Sequence, residues 1–245
     1  MTPLRLLAPR RLARLLAADA TNVARDPMLL AAAALSLVPP IALFLGRGAM
    51  DPSALAAFGI AELSRYLVPL VLLLPAVLIG WVTGFLLLEE RDEGTLLAVD
   101  VTPVGKAGFL GYRVGLAALS TFVLVLYAWP FVLADRPVTL VLMAGLLVAA
   151  STVGFAVALP AIARNKVEGL AVTKLTNLLL LAPLLAAIPS PLRFLGGVVP
   201  TFWLGELLGL SSVSPTPTWL ALLLGLAITT TATAWLFQLL KRHLG

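Results

Sequence analysis

The chain has no cysteine, and its single histidine, His243, stands two residues before the last position. The first absence excludes a disulfide framework and a thiolate metal site. The second removes a serine hydrolase built inside a helical bundle, which needs a histidine beside its nucleophile. Only 12% of the residues are charged, and none of them stands near the middle of a long apolar run. Ion- and proton-driven transporters keep ionisable groups there to carry the driving charge, so any transport would draw its energy from elsewhere. A nucleotide-binding loop of the form G-x-x-x-x-G-K-[ST] is missing too: Gly105-Lys106-Ala107 lacks both the upstream glycine and the hydroxyl residue. No catalytic, cofactor-binding or metal-ligating set is therefore expected in this chain.

What the chain has is apolar sequence. Hydrophobic residues make up 60% of its 245 positions and the mean hydropathy is +1.04, so the solvent for most of it is lipid. Six runs are long enough to cross a hydrocarbon layer of about 30 Å as helices. They cover about 27–46, 66–88, 108–134, 138–163, 170–189 and 217–239. The expected fold class is all-α: a polytopic membrane protein of six transmembrane helices in a single domain. Asp26 and Pro27 read as the N-cap and first-turn proline of the first span, and Pro39-Pro40 is expected to kink it. The stretch with Arg47, Asp51, Pro52 and Glu62 reads as a polar connection.

Residues 1–26 are too basic to span and lack the apolar core and cleavage site of a secretory signal. On a helical wheel Leu12, Leu15, Leu16, Ala20 and Val23 oppose Arg11, Arg14 and Arg25, which predicts an interfacial helix anchored by these arginines and Arg10. Residues 190–216 contain Pro191, Pro200, Pro215 and four glycines, yet Phe194-Leu195 and Phe202-Trp203-Leu204 are too apolar for a free loop. A re-entrant or interfacial hairpin packed on the bundle is expected, because irregular backbone at membrane depth needs protein partners. Within it, Glu206 beside Trp203 reads as an exposed interfacial carboxylate. Asn165, Asn177 and the Thr229-Thr230-Thr231 run with Thr233 are expected to hydrogen-bond between helices.

Retained positive charge marks the cytoplasmic side of a membrane protein. In the six-span arrangement 13 of the 17 Lys and Arg residues fall on one side, with both termini, and only Arg47, Arg65, Arg136 and Arg193 on the other. Both termini are therefore expected in the cytoplasm. The net charge of +5 accompanies span ends instead of a soluble basic face with interleaved aromatics, so no nucleic-acid partner is expected.

Segment 89–107 joins the second and third spans on the cytoplasmic side. It opens Glu89-Glu90-Arg91-Asp92-Glu93-Gly94-Thr95, continues Leu96-Leu97-Ala98-Val99 and closes at Thr102-Pro103, which reads as the charged start of a short helix. Without a bound energy source, the chain would need a handle for a separate ATPase, and this is the cytoplasmic loop long and charged enough to provide one. The plainer alternative is a solvated loop that ends a helix.

A basic amphipathic N-terminal helix, then Arg25-Asp26-Pro27, then Glu89-x-x-x-Glu93-Gly94-Thr95-Leu96 with Thr102-Pro103, resembles permease subunits of ATP-binding-cassette type-2 exporters over nearly the whole chain. The chain is most similar in style to compact bacterial drug-export permeases, among them fluoroquinolone exporters. The resemblance implies that residues 1–26 form the elbow helix and that Glu89, Glu90, Arg91, Glu93, Gly94, Thr95 and Leu96 belong to a coupling segment received by the ATPase. It further implies an assembly of two permeases, identical or paralogous, with two ATPases that hold ATP and magnesium. It also implies a re-entrant element between the last two spans, where residues 190–216 lie. The alternative function is a non-transporting membrane subunit with a role in assembly, immunity or sensor anchoring.

Overall fold

The computed structural model describes residues 27–94, 105–211 and 213–244. The N-terminal segment with Arg10, Arg11, Arg14 and Arg25 lies outside the described residues, as do Thr95 and Leu96. Among the described residues there is no strand. The helices are α1 (Pro27–Phe58), α2 (Leu63–Asp92), α3 (Gly105–Val132), α4 (Val138–Ile162), α5 (Lys166–Asn177), α6 (Phe202–Leu207) and α7 (Thr218–Leu244). Short 3-10 helices cover Leu178–Leu180, Ala182–Ala187 and Pro191–Val198.

Among the described residues, five stretches are long and apolar enough to cross a membrane: Leu63–Asp92, Gly108–Val132, Val138–Ile162, Lys166–Ala187 and Thr218–Arg242. The protein is thus an all-α polytopic membrane protein. The connection expected from Arg47 onward is instead helical: α1 continues through Pro39, Pro40 and Pro52 to Phe58, 32 residues in all. Arg47 stacks over the Phe44 ring one turn back, 4.7 Å from its centroid, and the Ser53 hydroxyl bonds back to the Ala49 carbonyl. At 1.5 Å per residue α1 is about 48 Å long, well beyond the hydrocarbon thickness.

The helix α4 is apolar on every side, and such a helix is stable only when surrounded. It occupies the centre, packed by α2, α3 and α7. Small residues let α2 approach closely: a β-carbon added at Gly80 would lie 2.5 Å from Phe155 Cβ, and one at Gly84 would lie 2.8 Å from the Ala156 carbonyl oxygen. The Gly80-x-x-x-Gly84 spacing thus places both glycines on one α2 face against α4. Whereas the buried Thr229 hydroxyl has no partner among the described residues, three hydroxyl groups buried in the bundle bond to their own helices, Ser151 to Leu147 O, Thr152 to Val148 O and Thr121 to Ala117 O. Thr230 and Thr231 do the same toward Leu226 and Ala227, within α7 and not between helices as the sequence suggests.

Two ends of the bundle can be distinguished. At one, the C-terminal ends of α2 and α4 meet the N-terminal ends of α3 and α5. At the other lie the α1–α2 and α3–α4 connections and the segment 188–217. In that segment Phe202, Trp203, Leu204 and Leu207 enter the main core with Leu72 and Ala76 of α2, Val141 and Ala144 of α4, and Ala221 of α7. Glycine makes this possible at position 205, where a β-carbon would sit 2.2 Å from the Pro183 carbonyl oxygen.

Gly84→Ala should lower the thermal unfolding midpoint of the detergent-solubilised protein by several degrees, since the added methyl meets backbone that cannot yield, at about 1–3 kcal/mol. Gly111→Ala, where nothing lies within 4 Å of the added carbon, should leave the midpoint unchanged or raised. Equal effects at the two positions would show that α2 and α4 are not in this close contact.

Candidate functional site

The charged group at the end of α2 is the candidate functional site. The sequence suggests that Glu89 to Asp92 begin a new helix; in the structure they form the last turn of α2. The physical reason is the absence of any helix breaker before Gly94, which adopts a left-handed φ of 72° directly after the cap residue Glu93. The side chains of that turn therefore project around the end of a rigid transmembrane rod, toward three neighbouring helices.

Arg91 reaches α4. Its guanidinium donates to the carbonyls of Pro160 at 2.8 Å, Ala163 at 3.0 Å and Arg164 at 2.9 Å. The last carbonyls of a helix lack intrahelical donors and carry the negative end of its dipole, so a cation with several N–H groups is the matching partner. Glu90 reaches α3: its Oε1 lies 2.5 Å from Arg113 Nη2, with side-chain exposures of 14% and 28%. Arg113 is held by this carboxylate and by the Phe109 ring, whose centroid lies 5.2 Å away. Glu89 reaches α5, accepting from Lys166 Nζ at 2.7 Å in a more exposed pair.

The start of α5 is itself built by capping. Asn165 Oδ1 accepts from the backbone N–H groups of Val167 and Glu168, and Glu168 turns back to accept from the Arg164 N–H. Asn165 is thus an N-cap, not the interhelical donor that its surroundings suggest. One end of the bundle therefore carries a network in which the last turn of α2 holds α3, α4 and α5 together. Asp92 and Glu93 remain exposed at its tip. Among the described residues no group of three or more His, Asp or Glu side chains could hold a metal ion.

At the opposite end the structure corrects the reading of Glu206. This carboxylate is buried, with no side-chain exposure, and its Oε1 lies 2.7 Å from Arg193 Nε, itself 2% exposed. Its second oxygen accepts from the Thr216 hydroxyl, while Arg193 also donates to the Ser214 carbonyl and stacks on Phe194. Trp203 is buried beside it with Nε1 bonded to the Gly197 carbonyl. The Arg193–Glu206 pair escapes a sequence reading because its members stand 13 positions apart and meet only when the chain folds back. One charge of each sign in a segment too apolar for a loop is the signal that could have found it.

Removing one member of a buried pair leaves the other uncompensated, at about 3–5 kcal/mol, whereas replacing both with apolar groups is close to neutral. Arg193→Met should accordingly depress the unfolding midpoint strongly, and Arg193→Met with Glu206→Leu should recover most of the loss. Thermal unfolding followed by tryptophan fluorescence measures both; a double variant as unstable as the single one would refute the pairing.

Against known proteins, residues 19–237 match the family model described as "Fluoroquinolones export permease protein Rv2686c-like". Two curated relatives, the fluoroquinolones export permease proteins MT2760 and Rv2686c of Mycobacterium tuberculosis strains CDC 1551 / Oshkosh and ATCC 25618 / H37Rv, are each 28% identical over 218 residues. Those residues are 84% of this chain and 85% of theirs. No solved structure matches. A helical bundle of apolar spans with a charged network at one end and a family match over most of its length leads to one conclusion: the chain belongs to the Rv2686c-like family of fluoroquinolone export permeases.

Proposed function

We propose that this drug-export permease is the membrane subunit of an ATP-binding-cassette exporter, and that it moves small amphipathic or hydrophobic drug-like compounds, fluoroquinolones among them, out of the cell. A separate ATPase subunit binds ATP with magnesium and hydrolyses it; this chain performs no catalysis. Two permeases, identical or paralogous, pair with two ATPases. The protein sits in the bacterial cytoplasmic membrane with α1 as a sixth crossing and both termini inside, an orientation supported by the distribution of Lys and Arg. Residues 1–26 act as the interfacial elbow helix, and the chain from Glu89 through Gly94, Thr95 and Leu96 forms the coupling segment.

The observation that carries this reading is the network at the end of α2. A push delivered at Glu93 and the residues that follow would reach Arg91, Glu90 and Glu89, and through them the ends of α4, α3 and α5. ATP-driven closure of the two ATPases would then displace four helix ends as a body and open the permease pair outward. Reciprocal linkage requires that transported compound, in turn, change ATP turnover.

Glu93 is the residue for the test, because Glu89 and Glu90 already hold Lys166 and Arg113 and their reversal would damage the bundle itself. Glu93→Lys should insert and fold normally. It should reduce drug-stimulated ATP hydrolysis in the reconstituted complex at least tenfold, as expected when a desolvated charge contact at an interface is reversed. Stimulation and drug accumulation at the wild-type level in that variant would place the docking surface elsewhere. A wild-type complex that accumulates no drug at all would favour the non-transporting subunit.

A further inference from the structure

A cavity of about 360 Å³ opens at the end of the bundle opposite the α2 network. It lies between the second half of α1, the start of α2, the α3–α4 turn and the chain just after α6, and it is lined by three arginines and three carboxylates together with apolar side chains. Its volume is that of a ligand site, roughly 300–1,000 Å³, but its wall is more polar than apolar, which suits a charged ligand better than a purely apolar one.

The charges do not cancel one another inside the cavity. Asp51 is fully used, its two oxygens accepting from the Ser64 N–H at 2.8 Å and the Ser64 hydroxyl at 2.7 Å. Glu62 lies 3.6 Å from Arg65, whose other Nη donates to the Gly209 carbonyl. That leaves Arg47, Arg136 and Asp135, all three exposed at the mouth of the cavity, with no ion-pair partner among the described residues. The Nε of Arg65, which also lines the cavity, is in addition buried with no acceptor among the same residues. The aromatic wall is ordered as well, with Phe44 and Phe131 packed edge to face at 6.1 Å and the Arg47 guanidinium lying over Phe44. Two guanidinium groups, one orphan donor, one carboxylate and two phenyl rings suit a flat aromatic compound that carries a carboxylate and a basic nitrogen.

We infer that this cavity binds aromatic zwitterions through their carboxylate, with Arg47 and Arg136 as its partners, Asp135 facing the ammonium, and Phe44 and Phe131 against the ring system. Planar guanidinium groups favour carboxylates by paired donors, which a single ammonium cannot reproduce. Resting on the export reading, the inference makes this the place from which the compound leaves, since in the proposed orientation the cavity faces outward.

Equilibrium dialysis of the full chain in neutral detergent tests it, with norfloxacin and its methyl ester as probes. The acid should bind at least tenfold more tightly than the ester, the scale of a lost charge-assisted hydrogen bond. Arg47→Ala with Arg136→Ala should abolish that preference, and the corresponding double lysine variant should fall between. Equal binding of acid and ester to the unaltered chain, or no binding of either, overturns the inference without any question of misfolding. Displacement of norfloxacin by phosphatidylglycerol at equimolar lipid would assign the cavity to lipid headgroups and overturn it too. Inverted membrane vesicles separate the two levels: ATP-driven norfloxacin uptake with no acid preference in binding removes this site alone, whereas absence of uptake removes the export reading.

Discussion

Arg91 on the terminal carbonyls of α4 is the contact from which the rest of the architecture can be understood. A helix that ends near a lipid boundary leaves carbonyl groups without donors, and neither lipid nor an apolar neighbour can satisfy them. One guanidinium from an adjacent helix answers several of them at once and fixes where α2 must stop relative to α4. Higher in the bundle the Gly80 and Gly84 face brings the same two helices into backbone contact. The two are therefore joined by close packing along their length and by charge-assisted hydrogen bonds at one end. The Glu89 and Glu90 pairs extend that unit to α5 and α3.

The two ends of the bundle solve the same problem differently. Around α2 the charges are partly wet: the Lys166–Glu89 pair has side-chain exposures of 58% and 40%. Such a pair adds little to stability and can be exchanged for another partner at small cost. Arg193 and Glu206 are sealed at 2% and 0%, where an ion pair cannot be separated without leaving a bare charge in an apolar surround. A re-formable network at one end and a permanent one at the other is the distribution expected if force enters at the first and the second keeps the irregular segment from unravelling.

Helical class and most crossings were legible from sequence because lipid imposes one rule, a long apolar run, that needs no knowledge of partners. The role of 190–216 as a packed element was legible for a related reason: Phe202, Trp203 and Leu204 could not face water beside three prolines. Boundaries were less so. Charge at Arg47 and Asp51 looked like a loop, yet helix continues there because Arg47 finds an aromatic ring one turn back and Asp51 finds Ser64. The candidate coupling residues were found as a charged cluster, but their partners were not. Arg113 lies 23 positions from Glu90, and the carbonyl acceptors of Arg91 carry no side-chain signature at all. Distance along the chain, and the anonymity of the backbone as a hydrogen-bond acceptor, hid what three dimensions supply.

The crossing over Lys166–Ala187 begins as α-helix and finishes, from Leu178 to Ala187, largely as 3-10 helix. A 3-10 helix rises about 2.0 Å per residue against 1.5 Å for an α-helix. Rewinding those ten residues would shorten the crossing by about 5 Å, close to one α-helical turn. The crossing thus holds a reserve of length, tethered at its start by Asn165 and Lys166 and about its middle by the Thr201 hydroxyl on the Leu179 carbonyl. Whatever draws on that reserve would move the buried hairpin toward or away from the α2 network without breaking the chain's path through the membrane.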